Sequence, residues 1–78
     1  MNLQWAKVYL SVLKNGSFAS AARQLHMTQP AVSMTISSIE DTVGKKLIER
    51  SSGQRSAVLP TPAGEIFRDY AEQVLSLY

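Results

Sequence analysis

The chain holds serine, histidine and aspartate, the side chains of nucleophilic catalysis, but not in an arrangement that could use them. Its single histidine, His26, sits where helical patterning breaks. No G-x-S-x-G turn, glycine-rich phosphate loop or paired carboxylates accompany it. Cysteine is absent, which excludes thiolate metal sites and a disulfide framework, and one histidine leaves too few ligands for zinc. No enzyme, metal or cofactor is expected. Binding chemistry is better supplied. Thr28, Gln29, Pro30, Ser33, Met34 and Ser37 lie within ten residues and carry no charge. Their hydroxyl and amide groups are of a size to hydrogen-bond the edges of bases, while Lys45, Lys46, Arg50 and Arg55 follow as cations for phosphate.

The elements that must hold these residues follow from spacing. Leu3, Ala6, Leu10 and Leu13 step by three and four, and Gly16 is placed to end that helix in the left-handed conformation, so helix one is expected over about 2–15. Ser17 can cap a short second helix that buries Phe18, Ala21, Ala22 and Leu25. After a turn at His26 and Met27, Thr28 caps a third helix. Pro30 lies in its first turn, where a missing N–H costs nothing. Val32, Ile36, Ile39 and Val43 form its inward stripe until Gly44, which leaves Pro30, Met34, Ser37 and Ser38 facing outward with Ser33 on the flank.

Leu47–Arg50 and Ala57–Leu59 read as two short strands joined by "SSGQRS", residues 51–56. Thr61 and Pro62 repeat the cap-then-proline start. The last helix carries Ala63, Phe67, Tyr70, Val74 and Leu77 on one seam and Ile66, Ala71, Leu75 and Tyr78 on an adjoining stripe. A domain this small cannot cover both, so a partner is expected there; Trp5 reads as a packing or partner contact. The helical pattern runs to the last residue without a C-cap, as in a truncated helix.

The order of elements is that of a mainly α winged helix-turn-helix. Its domain division is 1–60 for the helix-turn-helix and wing and 61–78 for a linker helix. In that architecture the helix at 28–43 enters the major groove and the wing at 51–56 reaches the backbone or minor groove. Charge agrees. Residues 1–58 carry seven bases against three acids, whereas residues 59–78 carry one base against three acids. Without a basic leader segment, an apolar run of about 20 residues or any cysteine, the chain reads as cytoplasmic and not a membrane protein.

The stretch "GSFASAARQLHMTQPAVSMTISSIEDTVGKKL", from Gly16 to Leu47, continued by "IER" and "TPAGE", resembles the N-terminal DNA-binding domain of LysR-type transcriptional regulators. That resemblance covers nearly the whole chain. It implies sequence-specific binding to an inverted-repeat duplex and a homodimer paired through antiparallel linker helices. In full-length family members a ligand-sensing domain follows, and this chain does not contain it. Residue by residue, it implies Gln29, Pro30 and Ser33 at the DNA with position 34 beside them, Arg50 near phosphates and Arg55 at the minor groove. Thr28 caps its helix and can also donate to phosphate. The chain departs from the family pattern at Met34 and Ser37, where basic or longer polar residues are frequent, and at Ile48 and Ala6. Those departures leave a second reading, a winged helix that serves protein–protein contact through a weakened DNA face. Trp5, Phe67, Tyr70, Val74 and Leu77 are the expected dimer contacts.

Overall fold

Side-chain caps decide where each helix begins. Asn2, Ser17, Thr28 and Thr61 each accept a hydrogen bond from the N–H three residues on, at 2.9, 3.1, 3.1 and 3.0 Å. Each cap satisfies one of the donors that a helix start leaves open. A computed structural model of the protein describes residues 2–50 and 57–78. In it these caps open α1 (Leu3–Asn15), α2 (Phe18–Leu25), α3 (Gln29–Val43) and α4 (Pro62–Ser76). Strands β1 (Ile48–Arg50) and β2 (Val58–Pro60) pair antiparallel between α3 and α4.

The helix stops are equally local. Gly16 and Gly44 take left-handed backbone, with φ of 73° and 81°, and return their N–H groups to Val12 and Glu40. His26 does the same at φ 57° without being glycine, so its role is to end α2. The expectation that α4 reaches Tyr78 is corrected. It ends at Ser76, where Leu77 and Tyr78 donate to Val74 and Leu75, the tighter spacing that closes a last turn.

The core face of α1 also differs from the spacing expectation. Val8, Tyr9, Val12 and Ser11 are buried with Ala6, while Leu3, Leu10 and Leu13 are only partly covered. α1 lies in the middle of the molecule and touches α2, α3, α4 and β2, so its broad inward face is set by what surrounds it. The leucines occupy the rim of that face. Around α1 the core gathers Phe18 and Ala21 from α2, Val32, Ile36 and Ile39 from α3, and Leu47, Val58, Phe67 and Ala71 from the remaining segments.

The first strand starts one residue later than spacing suggests and the second lies one residue later, with Ile48 opposite Pro60, Glu49 opposite Leu59 and Arg50 opposite Val58. Leu47 is drawn out of the strand by the core. Its side chain is fully buried, and its carbonyl accepts from the Tyr9 hydroxyl at 2.7 Å and from Thr61 N–H at 3.3 Å. Pro60 closes β2 at a strand end, where no donor is needed. Val58 N–H donates to the Gly16 carbonyl at 3.3 Å and ties β2 to the α1–α2 turn.

Gly64 completes the knot around Leu47. A Cβ at Gly64 would fall 2.0 Å from the Leu47 carbonyl oxygen and 2.4 Å from the Tyr9 hydroxyl oxygen. No side chain fits there. The Tyr9 ring meets Phe67 edge to face at 4.9 Å between centroids. Burial, assisted by the Glu65 and Glu40 carboxylates and opposed by Arg68, pushes the Tyr9 phenol up to about 12.

Gly64→Ala is therefore expected to cost more than about 3 kcal/mol in urea denaturation, and Tyr9→Phe about 1–2 kcal/mol. In the unfolded chain Tyr9 ionises near its ordinary value of 10.0, but in the folded chain only near 12. The stabilisation from the neutral phenol is thus complete below pH 10 and disappears as pH rises towards 12. The stability difference between wild type and Tyr9→Phe should stay constant below pH 10 and narrow above it.

Candidate nucleic-acid interface

Three side chains hold α2 against α1. Ser11 Oγ and Asn15 Nδ2 both donate to Gln24 Oε1, at 2.8 and 2.6 Å, and Asn15 Nδ2 also donates to the Ser11 carbonyl at 2.7 Å. From this clasp the chain leaves α2 through His26 and Met27, whose N–H donates to the Ala22 carbonyl at 2.9 Å. Met27 packs on the core and Thr28 restarts the helix. The direction of α3 is thus fixed at its root. Val32, Ile36 and Ile39 then bury its inner stripe. Val43, expected as the fourth member, is exposed instead, because the last turn runs beyond the core before Gly44 turns the chain.

Thr28, Gln29, Pro30, Met34 and Ser37 are exposed and Ser33 is half-buried, so none of the six expected residues is taken up by the core. No residue from Gln29 to Ile39 carries charge. A groove of about 270 Å³ separates α3 from β1. Ser33, Ser37 and Glu40 line it from α3, and Lys46, Ile48 and Arg50 from the other side. A second hollow of about 150 Å³ is lined by Gln29, Ser17 and Ala57 and again by Arg50.

Arg50 stands between the two. Its guanidinium carbon lies 4.4 Å from the centroid of the Phe18 ring, an attraction of cation for π-face that holds a long side chain over its own core. Among the described residues no ion pair joins Arg50 to the nearby carboxylates Glu40 and Glu49. Glu40 Oε2 accepts from the N–H groups of Leu47 and Ile48 at 2.8 and 3.4 Å, and its other oxygen lies 3.7 Å from Lys46 Nζ. That carboxylate therefore works on the backbone leading into β1. Arg55 and the wing segment 51–56 lie outside the described residues.

The residues expected at a dimer seam do not share one surface. Phe67 is a core residue, sealed against Tyr9, and is corrected on that ground. Trp5 and Val74 are half-buried, while Tyr70 and Leu77 are exposed. The helix is rotated from the expected seam because Gly64, Phe67 and Ala71 all point into the core. Ile66 takes the vacated place on the outer flank with Tyr70 and Leu77. Steps of four and seven residues, 66–70–77, carried that signal. Glu65, Arg68 and Glu72 occupy the opposite flank, with Arg68 paired to both acids.

Tyr9, Glu40, Thr61 and Gly64 are the contributors that spacing did not reveal as a group. A glycine inside an otherwise helical pattern was the available clue to close approach at Gly64. The Thr61 hydroxyl adds a bond to the Lys46 carbonyl at 2.7 Å, so the segment between α3 and β1 is held from three directions.

Four helices, an uncharged helix start on the surface and a two-stranded antiparallel sheet with cations beside it together give the architecture of a winged helix-turn-helix. Comparison with known proteins agrees: the family model described as "Bacterial regulatory helix-turn-helix protein, lysR family" matches residues 3–65, and the chain belongs to that family. The HTH-type transcriptional regulator CfxR of Cupriavidus necator is 36% identical over 75 residues, 96% of this chain and 23% of that regulator. Among solved structures, the BenM DNA-binding domain in complex with catB site 1 DNA superposes with a TM-score of 0.86 at 36% identity, covering 97% of this chain and 82% of that one. The CbnR DNA-binding domain in its DNA complex gives 0.88 at 31% identity, over 99% and 85%. This chain thus spans less than a quarter of CfxR's length.

Glu40→Ala is expected to cost about 1–3 kcal/mol in urea denaturation, because two backbone donors lose a carboxylate acceptor. Lys46→Ala should cost less than about 1 kcal/mol, since Lys46 is 82% exposed and its pairing is screened.

Proposed function

We propose that this chain is the reading head of a transcription regulator, which binds double-stranded DNA by laying α3 in the major groove. Under this reading Gln29, Pro30, Ser33, Met34 and Ser37 meet base edges, Thr28 and the helix start meet phosphate, and Arg50 anchors the backbone on one side. The wing at 51–56 reaches the minor groove with Arg55. What carries the reading is the uncharged, accessible flank of α3 beside a groove bordered by Lys46 and Arg50. Likeness to two domains solved on DNA supports it. A protein-docking role through the same face is not favoured by those neighbours.

Residues 1–60 form the DNA-binding unit in this proposal, and residues 61–78 begin a linker helix that pairs with a second copy. Tyr70 and Leu77 would lead that contact, with Trp5 and Val74 at its edge and Ile66 added. The duplex is an inverted repeat read by a homodimer, and a ligand-sensing domain belongs to the longer regulator. Binding without catalysis, in the cytoplasm where the DNA is, completes the reading. Among the described residues no helix is long and apolar enough to cross a membrane.

Affinity for a selected duplex should fall steeply with salt, each neutralised phosphate adding about 0.9 to the slope of log K against log salt. Arg50→Ala should flatten that slope by about 0.9 per subunit while leaving sequence preference in place. Ser33→Glu should do the reverse of the second part, erasing preference in a folded protein. A salt-independent titration would contradict the assignment.

A further inference from the structure

Met34 is a residue on the flank of α3 that the proposed function sets at base edges without a hydrogen-bonding group to read them. It is 71% exposed, and the other large exposed apolar side chain on α3, Val43, lies nine residues on at the far end. The remaining exposed apolar residues among those described belong to β2, α4 and the two residues after α4, so Met34 is not part of the flank proposed for dimerisation. Pro30 precedes it by one turn and Ser33 and Ser37 stand beside it, all on the flank that faces DNA in the reading above.

A thioether on a flexible stem donates no hydrogen bond and attracts no phosphate. The major-groove edges of the bases offer mainly donors and acceptors, and the apolar group that they present is the 5-methyl of thymine. Met can adapt its three torsions to such a small apolar knob and bury it. From this we infer that Met34 is a specificity-determining residue that reads a thymine methyl, one in each half-site of the operator. The inference rests on the proposed placement of α3 in the major groove. It names a feature of the duplex that the hydroxyls of Ser33 and Ser37 cannot detect.

Selection of duplexes from a randomised pool by the 78-residue chain comes first, followed by replacement of each selected thymine with deoxyuridine, which removes only the methyl. One position per half-site should lose affinity about fourfold on replacement, the worth of burying one methyl-sized group. Met34→Ala should bind the thymine duplex with the same loss and no longer respond to deoxyuridine there, while Met34→Leu keeps the response. Met34→Arg should move selection at that position towards guanine, whose O6 and N7 accept from a guanidinium. Unchanged urea midpoints are expected for all three variants, given the exposure of the site.

If deoxyuridine has no effect at any thymine, or has the same effect in Met34→Ala as in wild type, the methyl contact is overturned and DNA binding itself still stands. A pool from which no sequence is enriched, with no saturable binding at low salt, removes the DNA-reading function and this inference together.

Discussion

The carbonyl of Leu47 is the point on which the arrangement of helix and sheet depends. It is buried, and a buried carbonyl without a donor is costly, so its two partners are structural requirements. One is the Tyr9 hydroxyl from the centre of α1 and the other the N–H of Thr61 at the entrance to α4. Both bonds need α4 to approach closely enough that residue 64 has no side chain. Glu40 holds the N–H side of the same peptide segment from α3. Helices α1, α3 and α4 are thereby referred to one short stretch of backbone, and the strand that carries Arg50 leaves from it at a set angle.

In the proposed complex, attraction and discrimination fall to different residues as a result. The flank of α3 is neutral from Gln29 to Ile39, and the cations Lys46 and Arg50 line the far wall of the groove. Arg50 is held by the face of Phe18, itself a core residue, so the proposed phosphate contact would freeze less side-chain freedom. An ion pair with a neighbouring carboxylate would have competed with phosphate for the same donors. Glu40 does not compete, because its oxygens are committed to backbone N–H groups and to Lys46.

Local signals in the chain foretold the fold well. Three caps, two glycine stops and two prolines placed α2 and α3 to the residue, because each depends on side chains within three or four positions, while the cap at Asn2 went unread. The exposed side of α3 was legible for the same reason, since burial of Val32, Ile36 and Ile39 dictates what faces out. Longer-range contacts hid the rest. Periodicity placed the leucines of α1 inside because it cannot know that α1 is surrounded on several sides. It joined Phe67 to Tyr70 because an inward and an outward stripe that touch look like one. The union of Tyr9, Leu47 and Gly64 spans 55 residues and leaves only an unexplained glycine as its trace.

Along α4 and the turn that closes it, the inward stripe of Gly64, Phe67 and Ala71 and the outward one of Ile66, Tyr70 and Leu77 share no residue. Stability and, under the proposed pairing of linker helices, assembly are consequently encoded in separate letters of one segment. On that proposal a duplicated gene could drift in the outer letters, and its product would keep its shape while ceasing to mix subunits with its ancestor.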